Sequence, residues 1–141
     1  MASILKVDAM QGVTAAGDIT ITSEGGAATQ SLQQGLAKAW ANIDGTGTIA
    51  LRDSLNVSSL TDDGTGAYDT SFSNSFNNTN YCAIGNGKEN SSGARNSDID
   101  RLFHPARTAF TTSVCEWLGQ NLAGGDADLD EAFPMVMGDL A

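Results

Sequence analysis

Positive charge is scarce in this chain. Histidine and cysteine are rarer still, and no long apolar run occurs. Seven Lys and Arg stand against seventeen Asp and Glu, for a formal net charge of −10. That sign is wrong for phosphate backbones, whose binding rests on Lys and Arg displacing counterions. It also disfavours anionic lipid surfaces. Without a run of about 18 apolar residues, no membrane-spanning helix is expected. The opening MASILKVDAMQ has no basic region leading into an apolar core, so no secretory signal is expected and the product should start in a cytoplasm. There Cys82 and Cys115 should stay reduced. Each sits in a strand-like run, where cysteine behaves as a small core hydrophobe. The one histidine, His104, stands beside Pro105 with no Cys or Ser in a recognisable catalytic setting. Zinc spacing, a Gly-rich phosphate loop and a dinucleotide fingerprint are all missing. No catalytic residue, metal or cofactor is therefore assigned.

What is present is turn chemistry. The 141 residues include 16 glycines, and Ser, Thr, Asn and Asp crowd around them. This composition belongs to a short-stranded, turn-rich β protein and not to a helical bundle. The length suits one domain with a core of its own. Hydrophobic residues make up 40% and aromatics 6%, so few large side chains offset the entropy that glycine and serine lose on folding. Oligomerisation is one way to cover that shortfall.

The stretch from Trp40 to Ile84 organises the chain. Ile49, Leu51, Leu55 and Val57 are spaced by twos between the turn clusters Asp44-Gly45-Thr46-Gly47 and Asp62-Asp63-Gly64-Thr65-Gly66. Alternation bounded by Asp-Gly turns predicts antiparallel strands joined by tight turns. Asp53 interrupts the alternation. A carboxylate on a core face needs a partner, or else a bulge near Asp53 or Ser58-Ser59 corrects the register. Residues 36–43 fit helix or strand. The following turn favours a strand with Trp40 on one face and Ile43 on the other. Tyr68, Thr70 and Phe72 share a face of the next strand, and Phe76 continues it.

Upstream, Ile4 to Ala9 and Asp18 to Thr22 both alternate around the Gly/Ala-rich stretch from Gly12 to Gly17. They read as an ordinary first hairpin or as an anchoring segment that orders in an assembly. Glu24 to Ala28 is a flexible hinge by composition. Ser31-Leu32-Gln33-Gln34 is a capping box that predicts one short helical turn. Leu32 and Leu36 share one face of it, to meet around a trimer axis or to cover one end of a sheet. Ile4 and Val7 are the matching oligomer-contact candidates upstream. The expected division is 1–30 as an anchoring segment and 31–141 as an antiparallel β domain.

Downstream, Gly85 to Pro105 loses its apolar signal and reads as one long loop, functional or a simple insertion. It holds Lys88, Arg95 and Arg101. If it binds a host sugar or acidic surface, Asn86, Lys88, Asn90 and Arg95 are the candidate donors. Thr108 to Leu122 returns to strand, with Cys115 and Trp117 facing opposite to Val114, Glu116 and Leu118. Asp126 to Glu131 begins like a calcium loop, but Glu131 stands where glycine belongs and Met137 where glutamate belongs, so a solvated turn competes with an ion site. Pro134 should confine the last strand to an edge or to its own first residues.

From Leu32 to Ile84 the chain resembles a module of bacteriophage tail fibre or virion fibre proteins of marine and cyanobacterial phages. The resemblance rests on Ala37 to Trp40, Gly45 to Gly47, Arg52 to Ser54, Asn56 to Ser59 and Gly64 to Tyr68. The two ends, Ser3 to Asp8 and Val136 to Ala141, share it. It implies a homotrimeric virion protein without enzyme activity, assembled in the host cytoplasm. Other virion proteins would hold its N-terminal segment, and a host glycan or protein would be its target. A capsid decoration or head fibre protein is the alternative, and a glycan depolymerase using Asp53 a more distant one. The fold class expected is all-β: an antiparallel sandwich or meander, with short N-terminal strands and one helical turn.

Overall fold

The computed structural model describes residues 4–15, 18–88, 102–106, 110–121 and 124–141. It is all-β, and the chain divides into two compact units, Met1–Leu36 and Ala37–Ala141.

In the first unit, residues 4–15 form no strand. The hairpin lies one element later than the alternation suggests. β1 (Thr20–Thr22) pairs antiparallel with β2 (Thr29–Ser31). The Glu24 to Ala28 stretch is the turn of this hairpin and not a hinge. Gly26 adopts φ +72°, its N–H donates to Ser23 O, and Ser23 N–H donates to Ala28 O. Only glycine enters that backbone region without strain. The capping-box serine caps the turn, since Gln34 N–H donates to Ser31 Oγ at 3.4 Å. Gly35 N–H then reaches Ser31 O, which closes a single turn. No helix follows, because Gly35 and the short length give it nothing to propagate on.

The second unit is a sandwich of two four-stranded antiparallel sheets. One sheet has the order β4-β3-β10-β7 and the other β5-β6-β9-β8. The strands are β3 (Ala39–Asp44), β4 (Ala50–Leu55), β5 (Val57–Gly64), β6 (Ala67–Phe72), β7 (Cys82–Lys88), β8 (Leu102–Pro105), β9 (Val114–Gln120) and β10 (Glu131–Met137). The chain runs a hairpin in the first sheet, crosses to a hairpin in the second, then returns for β7, crosses for β8 and β9, and returns again for β10.

The alternation from Ile49 to Val57 is not one strand. It breaks at Asn56, which has φ +57° and hands the chain from one sheet to the other. Asparagine is among the few side chains that tolerate this left-handed turn. A bulge was expected near Asp53 or Ser58-Ser59, and one is present at each. Arg52 is the extra residue where Asn42 pairs with Asp53 and Ile43 with Leu51. Ser58 is the extra residue between the pairs Val57–Phe72 and Ser59–Ser71. The first bulge turns Asp53 outward, so the carboxylate does not lie on the core face.

Residues 39–44 are strand, with Ala39, Ala41 and Ile43 buried and Trp40 on the opposite face. Tyr68, Thr70 and Phe72 face them from the other sheet, with Cys115 and Trp117 on β9 and Ala132 and Val136 on β10. Thr70 and Trp117 pair their polar atoms there, as burial demands, whereas Asn42 Oδ1 and Asp69 Oδ1 are buried without a partner among the described residues. Trp117 Nε1–H donates to Thr70 Oγ1 at 2.9 Å, and that hydroxyl donates to Cys115 O at 3.1 Å. The Trp117 ring stacks on Phe103 at 5.4 Å.

Two expectations are corrected here. Gly85 to Pro105 is not a single loop, because β7 runs on to Lys88 and β8 begins at Leu102. His104 therefore lies on a strand. Pro134 does not force β10 to an edge, because β10 is central. It pairs with β7 from Glu131 to Met137, whereas its ladder to β3 passes from Ala132 to Met135. The missing proline N–H falls at that gap.

Candidate binding surface

β10 carries apolar residues on both faces, and β3 adds Trp40 to its outer face beside Asn42 and Asp44. Ala132, Pro134 and Val136 point into the core while Phe133 and Met135 point out. On β3 the outward residue at the same level is Trp40. Register aligns these residues. Trp40 pairs with Leu55 on one side and Met135 on the other, and Met135 pairs with Ile84. The result is a row, Leu55–Trp40–Met135–Ile84, across all four strands. Leu55 and Ile84 are each 48% exposed, Met135 38% and Phe133 40%. These four are the exposed large hydrophobics of the second unit among the described residues. Scattered exposed apolar residues need no explanation, but a contiguous patch marks an interaction surface.

A charged cluster borders the row toward one end of the strands. The bulged Arg52 donates to Asp44 Oδ2 at 2.8 Å and lies 3.8 Å from Glu131, while Lys88 Nζ is 3.5 Å from Glu131. The Asp44 carboxyl is held below the usual carboxylate range. The Thr46 hydroxyl and backbone N–H contribute most of this, and Arg52 adds to it. Pairs this exposed contribute little stability singly. Their effect is to neutralise the rim of the face.

The other sheet presents a different outer surface. Its rows include Ser59–Ser71–Val114 and Thr61–Asp69–Glu116. Asp69 carries a carboxyl pushed upward, by burial first and then by Asp63 and Glu116. Hydroxyls and crowded carboxylates are what a sheet turns toward water.

Of the residues singled out in the sequence, Asn86 and Lys88 lie on the outward side of β7, in alternation with Ile84. They share the face of the apolar row. Asn86 Oδ1 accepts from the Gly87 N–H, and Asn86 pairs with Phe133. Asn90 and Arg95 lie outside the described residues. Ile4, Val7 and Leu36 are exposed in the first unit, and Leu32 is half-buried there. Cys115 is a core thiol, pushed up to about 12 mainly by burial. Cys82 is not, because its side of β7 faces outward and the thiol is exposed.

The acidic run that resembles a calcium loop is used inward. Asp128 Oδ1 accepts from Gly66 N–H at 2.7 Å and lies 3.3 Å from Tyr68 Oη, which also reaches Gly45 O at 3.1 Å. Burial, assisted by Asp128, raises the Tyr68 phenol to about 12. Among the described residues no three His, Cys, Asp or Glu side chains converge as metal ligands. His104 Nδ1 lies 3.1 Å from Pro105 O and Nε2 3.4 Å from Gln120 Oε1.

Trp40, Leu55, Phe133 and Met135 are not apparent as a surface from alternation, which assigns one apolar face per strand. The available signal was FPMVM, apolar at both parities, which marks a strand covered on both sides. The chain matches no protein-family model, no curated protein and no solved structure.

Proposed function

We propose that this chain is a structural virion protein of a bacteriophage, a short trimeric fibre that works by assembly and host attachment and not by catalysis. The observation that carries the proposal is the exposed apolar row across the β4-β3-β10-β7 sheet. A contiguous row of large apolar side chains left open on the outer face of a sheet marks an interaction surface. The resemblance to virion fibre proteins supports this reading by analogy.

Of the resembling segments, Ala37 to Trp40 and Arg52 to Ser54 lie on β3 and β4, and the others fall at turns and a corner. Gly64 and Gly66 have positive φ, as does Gly47, and Asn56 is the corner between sheets. They therefore report a shared fold more directly than a shared ligand. The first unit, with Ile4 at 78% and Leu5 at 79% exposure, suits a segment that is covered by other virion proteins. Host contact is the distal task of such a fibre.

Light scattering of the purified full chain tests this reading. The expected mass is three times the 14.6 kDa of one chain. A single-chain mass at every concentration would sink the trimer.

A further inference from the structure

We infer that the outer face of the β4-β3-β10-β7 sheet is the contact between copies of this chain, arranged head to tail around a symmetry axis, with Ile84 of one copy against Leu55 of the next. This rests on the trimeric reading above and specifies its interface. Both outer strands of the sheet carry an end of the apolar row. Leu55 on β4 and Ile84 on β7 are equally exposed, at 48% each. A second copy of the row would continue it at either edge. A heterologous contact that joins unlike edges closes into a ring when the rotation allows.

Charge selects a second copy as the occupant. The chain carries −10 overall, so two copies repel across most of their surface. On this face Arg52 and Lys88 stand against Asp44, Asp53 and Glu131, which leaves one net negative charge. It is a place where like can meet like. A cationic foreign partner would gain more from the carboxylates of the opposite sheet, where Asp63, Asp69 and Glu116 crowd together.

Cross-linking tests this contact separately from the trimer itself. Cys82 is exposed and is first replaced by serine, while Cys115 is buried and stays. In that background the double variant Leu55→Cys, Ile84→Cys should oxidise to a covalent three-chain species on denaturing electrophoresis. Each single variant should remain one chain, since a head-to-tail contact does not bring a residue against its own copy. Linkage by Leu55→Cys alone would overturn the arrangement. So would a chain that is trimeric by light scattering while the double variant stays unlinked.

A second variant removes any dependence on disulfide geometry. Met135 points outward, so Met135→Glu should keep the circular dichroism of the β fold while the mass falls about threefold. An unchanged trimer mass in Met135→Glu would also reject the proposal. A wild-type chain that is monomeric throughout would overturn both the interface and the trimer.

Discussion

Asn56 decides where the chain changes sheets. Its backbone sits at φ +57°, its Oδ1 accepts from Asn74 N–H at 2.6 Å, and its Nδ2 donates to Asn74 O at 3.1 Å. One side chain thus tolerates the left-handed corner and ties it to the far end of the β5–β6 hairpin. Asn56→Ala removes both effects. Left-handed backbone costs an alanine about 1–2 kcal/mol, and the two exposed hydrogen bonds lost together contribute about 1 kcal/mol. We expect a loss of about 2–3 kcal/mol in urea unfolding at fixed protein concentration. Asn56→Gly keeps the backbone permissive and should lose only about 1 kcal/mol. Equal losses for the two would show that the corner conformation is unimportant. The sequence displays Asn56 merely as one polar residue between two apolar ones. Its role becomes visible only when Leu55 and Val57 are found in different sheets. Asp128 behaves similarly. Its spacing from Asp126 and Asp130 suggests an ion, whereas its actual partners lie about sixty residues away, at Gly66 and Tyr68.

Strand content and the grouping of side chains by face on β3, β6 and β9 were legible in the chain, because side-chain alternation is a local property. Trp40 opposite Ile43, Tyr68 with Thr70 and Phe72, and Cys115 with Trp117 all follow it. The β7–β8 corner was not legible, because its glycines resemble loop formers. Gly85 and Gly87 are glycines for a packing reason. A Cβ on Gly85 would lie 2.5 Å from Phe103 Cδ1, and Phe103 is fixed by its stack on Trp117. A Cβ on Gly87 would collide with Leu129. Bare backbone on β7 lets β8 close against it. Gly85→Ala should therefore destabilise by about 1–3 kcal/mol, the usual cost of overpacking a core. Asn86→Ala, one residue along on the outward side, should change stability by less than about 0.5 kcal/mol. Thermal melts of both variants check this, and an inert Gly85→Ala would mean that Phe103 can move aside. The N-terminal hairpin was displaced for a different reason. Two alternating runs were visible at Ile4 and Asp18, but alternation does not say which run finds a partner strand.

At the scale of the whole molecule, apolar contact and like charge oppose each other. Covering the remaining exposed area of Leu55, Ile84, Phe133 and Met135 removes on the order of 300 Å² per copy from water, or ~7 kcal/mol at ~25 cal/mol/Å². Lost translational and rotational freedom costs roughly 4–15 kcal/mol on association, as large as that gain. Three chains also carry three times −10 in formal charge, and that repulsion acts across the entire particle. Salt screens it, with a Debye length of about 8 Å at physiological ionic strength and about 30 Å at 0.01 M. It leaves apolar burial intact. If the trimer is held by the neutral apolar face, added salt should strengthen it, so that the concentration for half-dissociation falls from low to moderate ionic strength. An interface held by ion pairs such as Arg52–Asp44, formed between copies instead of within one, would respond in the opposite sense. Light scattering of a dilution series at about 0.01 M and 0.15 M salt separates the two. A trimer that loosens as salt rises would place the attraction in charge and move the contact away from the Trp40 row.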